Sequence, residues 1–124
     1  MPDHRVRFIR HRDAEILFID WAGATAEEMH AGIDEAKQLI ASRPHNSVLT
    51  LTSVEGAKVD RGVTQKLKDY VAHNKPYVRA GAVVGLNDLK SVIFNFVNRA
   101  TGRSLRAMSS VEEAKEWLAN AAVR

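Results

Sequence analysis

A chain of 124 residues suits one domain and is short for two, and at this size roughly two thirds of the unfolded surface is buried on folding. With no cysteine, disulfides and thiolate metal sites are excluded, and a reducing, cytoplasmic setting is expected; no apolar run approaches the ~20 residues of a membrane span, and the opening MPDHRVRFIR lacks the apolar core of a signal peptide. The net charge of +3 is concentrated at Arg5, Arg7, Arg10 and Arg12 against Asp3, and a second basic stretch at 58–79 is interrupted by Asp60 and Asp69, so a continuous stripe for specific nucleic-acid binding is not expected.

The stretch 5–21 reads as two β-runs. Val6 and Phe8 alternate with Arg5 and Arg7, as on an edge strand. Ile16 to Trp21 is apolar except Asp20, as in a central strand. His11-Arg12-Asp13 forms the turn of an antiparallel hairpin. Thr25 and Glu28 then make a capping box ahead of a helix whose Met29, Ile33, Ala36, Leu39 and Ile40 recur at helical spacing. The next strand, SVLTLTS, puts Leu49 and Leu51 on one face and Thr50 and Thr52 on the other. Asp60 caps a second helix with Val63, Leu67, Tyr70 and Val71 on one stripe, and Asn74 and Pro76 end it. A strand of small residues, VRAGAVVGL, has Gly81 and Gly85 where something packs close to the backbone. Asn87 and Gly102 bound a third helix, whose buried face is read as Leu89, Val92, Ile93, Phe96, Val97 and Ala100. LRAM is a short last strand, and Ser110 and Glu113 repeat the capping-box spacing before a helix with Val111, Ala114, Trp117 and Leu118 inward.

This order, β-β-α-β-α-β-α-β-α, predicts an α/β fold. Its single mixed, mostly parallel sheet has about five strands, an N-terminal antiparallel hairpin and four helices. Leu49, Leu51, Val83, Ile93, Phe96 and Trp117 are expected to be buried together between sheet and helices.

The phrases ILFIDWAGATAEE at 16–28, RAGAVVGLNDLKSVIFNFVNRATGR at 79–103 and SSVEEAKEWL at 109–118 resemble the STAS superfamily, in particular its SpoIIAA-like branch. The resemblance covers nearly the whole chain as one domain. It implies a regulatory or binding role: the superfamily includes antagonists of anti-sigma factors, cytoplasmic tails of anion transporters and many small bacterial proteins. The SpoIIAA-like branch also resembles CRAL-TRIO lipid carriers, which implies an apolar ligand. In the anti-sigma antagonists, an Asp-Ser-x-Gly phrase after this strand carries a phosphorylatable serine. Here the phrase is Thr52-Ser53-Val54-Glu55-Gly56, without the Asp. Ser53, Glu55, Lys58 and Arg61 are the candidate switch loop, and 53–58 is expected to be a surface turn.

Groups for other chemistry are sparse. No two of His4, His11, His30, His45 and His73 stand at His-x-x-x-His spacing. Asp69 and His73 are four apart, which suits an ion pair or half of a metal site. Asp20 is a lone carboxylate in an apolar strand. The glycines of GAVVG lie in the strand and not in the turn after it, so no dinucleotide fingerprint is present. No cofactor is expected.

Two readings follow. One is a non-enzymatic binding or regulatory domain for an apolar small molecule or a protein partner. Its candidate surface is Trp21, Thr50, Thr52, Leu89, Ile93, Phe94 and Val97. Phe94 falls outside the apolar stripe of the third helix, and that helix is expected to act as a lid, as a monomer or homodimer, with peripheral membrane contact allowed. The other is a small hydrolase-type enzyme using Asp20 or Ser53 on an acyl or anionic substrate.

Overall fold

In a computed structural model describing residues 5–122, the elements run β1 (Val6–His11), β2 (Ala14–Asp20), α1 (Ala26–Ala41), β3 (Val48–Ser53), α2 (Arg61–Asn74), β4 (Val78–Val84), α3 (Asp88–Thr101), β5 (Arg106–Met108) and α4 (Val111–Ala122). Asp3 and His4 lie outside the described residues. The five strands form one mixed sheet in chain order, β1-β2-β3-β4-β5, with β1 antiparallel to β2 and the others parallel. The hairpin turns through Arg12 and Asp13 alone; His11 is the last residue of β1 and pairs with Ala14, and Arg12 takes a left-handed φ of 57°.

Every parallel step moves to the next strand in the same direction. Crossovers of a single hand therefore bring α1, α2 and α3 to one face. α4 returns on the other face. Two cores follow. Leu17, Ile19 and Trp21 pack with Met29, Ile33 and Val63 on the three-helix side. Ile16, Leu49, Leu51 and Ala82 pack with Ala114 and Leu118 on the α4 side. Covered on both faces, β2 is apolar at successive positions, and Ile16, Leu17 and Ile19 are fully buried.

The residues expected to be buried together are therefore divided. Leu49, Leu51 and Trp117 belong to the α4 side, whereas Val83 and Ile93 pack on the opposite side. In a sheet covered on both faces, period-2 alternation sends neighbouring residues to different cores. Phe96 belongs to neither.

The helix caps form where the spacing puts them. Thr25 and Glu28 make both bonds of the capping box, and Asp60 accepts from the Val63 amide at 2.8 Å. Asn87 accepts from Lys90 N at 2.8 Å, and Gly102 ends α3 at a left-handed φ of 69°. The box at α4 differs in one half. Ser110 accepts from Glu113 N, but the Glu113 carboxylate takes its bonds from the amide and hydroxyl of Ser109. Asp69 and His73 do not form an ion pair: Asp69 accepts from Gln65, while His73 hydrogen-bonds Asn74 and stacks on Tyr77.

Much of the N-terminal charge is used within the fold. Arg5 donates to the carbonyls of Asp20 and Ala22 and faces Glu28 at 3.9 Å. His11 and Arg12 both grip Glu116, tying the hairpin to α4. Arg7 lies over the Phe18 ring, 4.9 Å from its centroid.

Candidate functional site

The threonine face of β3 is the floor of a cavity of about 90 Å³ between the sheet and helices α2 and α3. Thr50 and Thr52 lie beside Gly81 and Val83 of β4. Gly81 is needed there. A Cβ at that position would come within 2.6 Å of Leu105 Cδ2 and 2.8 Å of Thr50 Oγ1. Its missing side chain lets Leu105 lie across the strand. Leu67 and Val71 line the α2 side, Val54 lines it from the loop after β3, and Ile93, Phe94 and Val97 line the α3 side. Trp21, 1% exposed, also lines the cavity and tilts against Tyr70 with ring centroids 5.9 Å apart. Its Nε1 is buried, has no hydrogen-bond partner among the described residues, and lies against Gly32 of α1.

Part of the lining is polar: Tyr70, Asn74 and Arg103. Burial pushes the Tyr70 phenol well above its ordinary pKa, opposed by a hydrogen bond from Asn74 and by the charge of Arg103. Asn74 is itself buried. Arg103 follows the left-handed Gly102, which turns the chain back under α3, and its Nη1 donates to Val71 O at 3.0 Å. Burial lowers the Arg103 pKa, and the neighbouring Tyr70 raises it.

α3 packs beside α2. Its orientation corrects the sequence reading. Val97 is its one buried residue, and Ile93 and Phe94 are half-buried on the cavity side. Leu89, Val92 and Phe96 point outward, 68%, 66% and 49% exposed, and Ala100 is exposed too. The inward face is rotated by roughly 80°, at about 100° per residue, from the centre of the apolar arc. Phe94, outside the arc's centre, is thereby an inner residue, and Phe96 an outer one.

The opening of α3 and the ends of the parallel strands border a second, polar cleft. Ser53, Glu55, Ser91, Ser109 and Ser110 are among its lining residues. The loop after β3 is more anchored than a surface turn. Ser53 is the last residue of β3 and only 8% exposed; Val54 and Ala57 are buried, and only the Glu55-Gly56 tip and Lys58 are exposed. The loop is stitched to its neighbours by Gly23 N to Glu55 O at 2.8 Å, Val54 N to Val84 O at 3.0 Å and Lys58 N to Ala24 O at 2.9 Å. Lys58 and Arg61 are exposed and line neither the cavity nor the cleft. Asp20 is half-buried at the end of β2, where its Oδ1 accepts from Ala22 N.

The structure thus brings Trp21, Thr50, Thr52, Ile93, Phe94 and Val97 to one cavity and leaves Leu89 on the outer surface of α3. Arg103, Asn74 and Lys90 also line it and escaped sequence reasoning. The available signal for Arg103 was its place directly after the helix-ending Gly102. Among the described residues no cluster of His, Asp or Glu could hold a metal ion, and no helix is long and apolar enough to cross a membrane. Comparison with protein-family models, curated proteins and solved structures finds no match for this chain.

Proposed function

We propose that this chain is a non-enzymatic binding domain of the STAS, SpoIIAA-like kind, taking an apolar ligand between the threonine face of the sheet and α3. One observation carries this reading: a cavity walled by Trp21, Leu67, Ile93, Phe94 and Val97 lies between the sheet and α3. Its volume of about 90 Å³ is below the ~150 Å³ that admits benzene in an engineered apolar cavity. A longer chain enters only if α3 moves outward. α3 is suited to that movement because its outer stripe is already in water and Val97 is its one buried residue. The phrases at 16–28, 79–103 and 109–118 support the SpoIIAA-like assignment.

Hydrogen exchange tests the reading. α3 should exchange faster than α1, and slow when the neutral apolar probe N-phenyl-1-naphthylamine is added. Equal protection of the two helices, with no response to the probe, overturns it.

A further inference from the structure

Resting on that reading, we infer that the ligand is an acid: an amphiphile whose apolar chain fills the cavity and whose carboxylate pairs with Arg103. The guanidinium is held between two elements. Nη1 is fixed to Val71 O at 3.0 Å, and Nη2 lies 3.9 Å from where a Cβ on Gly81 would stand. It therefore reaches from α2 to the strand beneath the cavity. The ion pairs among the described residues join Arg5 to Glu28, His11 and Arg12 to Glu116, Arg43 to Glu15 and Lys66 to Asp34. None involves Arg103, and no carboxylate of the described residues stands within 4.0 Å of it.

A guanidinium carries five N–H donors, and the bond to Val71 O uses one. Arg103 is half-buried, so its guanidinium keeps only part of its hydration, and partial desolvation of a cation without a counter-ion carries a cost that a paired anion offsets. A carboxylate entering with the ligand supplies the missing charge, and the planar fork matches it with two parallel bonds. Tyr70 and Asn74 add a phenol and an amide to the same lining. The phenol stays neutral by burial and does not compete for the guanidinium as an anion. Lys90, the other cation of the lining, sits in the first turn of α3, more than two helical turns from the Gly102 end that Arg103 follows.

The test compares octanoic acid with 1-octanol at neutral pH, each titrated as a competitor of N-phenyl-1-naphthylamine. The acid should bind about tenfold tighter or more, the ratio expected of a hydrogen bond to a charged group. Arg103→Gln should bring the two ligands within about twofold while octanol affinity persists, which shows the cavity intact. Arg103→Lys should retain part of the preference. Arg99→Gln, the same charge change on the exposed face of α3, should leave it unchanged. Equal binding of acid and alcohol by the unaltered protein overturns the inference and leaves the apolar-ligand reading standing. An equal loss in Arg99→Gln and Arg103→Gln also overturns it, because the preference is then long-range charge. Failure of probe, acid and alcohol alike overturns both.

Discussion

Gly32 and Trp21 are in direct opposition: a Cβ on Gly32 would come within 2.5 Å of the Trp21 indole nitrogen. In an exposed helix interior, replacing glycine by alanine gains about 1 kcal/mol. Here the sign should reverse, since a Cβ this close forces the buried indole out of its packing against Tyr70. Gly32→Ala should destabilise the protein by about 1–3 kcal/mol, the usual range for overpacking. Urea unfolding checks this. In a Trp21→Phe background the penalty should shrink, because the smaller ring removes the opposing nitrogen. An equal penalty in both backgrounds would show that the contact is not its cause.

Gly85 meets a harder obstacle. Its φ is +85°, and a Cβ there would approach Glu55 N at 2.6 Å, a backbone atom that cannot rotate away. Gly85→Ala combines left-handed strain with a clash against the loop after β3. It should cost about 2 kcal/mol or more, at the upper end of single-substitution effects. Thermal melting measures it. The same variant should increase exchange at Val54 N and Lys58 N, whose bonds hold that loop.

The two phenylalanines of α3 should respond oppositely to their places in the apolar pattern. Phe96 is 49% exposed, so truncation loses about half of a buried side chain's ~1.5–3 kcal/mol. Alanine's better helix propensity returns about 0.5 kcal/mol. Phe96→Ala should therefore cost about 1 kcal/mol or less. Phe94→Ala should cost more and should also change binding of the apolar probe, since Phe94 lines the cavity. A larger loss from Phe96 would mean that α3 is turned the other way.

Tyr70 links stability to alkaline pH. Its folded pKa is raised by burial above that of the unfolded chain. Its contribution is then complete below the ordinary value of about 10 and is lost as pH rises from there toward the folded value, because the unfolded chain ionises first. Stability should fall above pH ~10 with a slope of up to about 1.4 kcal/mol per pH unit from this group. In Tyr70→Phe that component should disappear, leaving a flatter profile than the parent's. Urea midpoints across this pH range, compared between the two proteins, measure the difference.

The element order, the caps and the split of β3 into leucine and threonine faces were legible in the sequence because each depends on near neighbours. Thr25 finds Glu28 three residues away, Asp60 finds the Val63 amide, and alternation along Leu49 to Thr52 is a property of the strand itself. The cavity floor was readable for the same reason, since two threonines in an otherwise apolar strand mark a face that is not filled with hydrocarbon.

The orientation of α3 was not legible. Its apolar residues span a wide arc, and a helical wheel locates the centre of that arc without saying which flank meets the protein. Packing decided it. α2 supports α3 along one side, the cavity lies beneath, and among the described residues no further helix covers the outer flank, so Phe94 turns inward and Phe96 outward. Arg103 was hidden for a related reason. Its meaning comes from Val71 and Gly81, residues 32 and 22 positions away that only the folded crossovers bring to it. Local sequence determines which backbone bonds and faces form; which charges come to line a cavity depends on how distant elements pack.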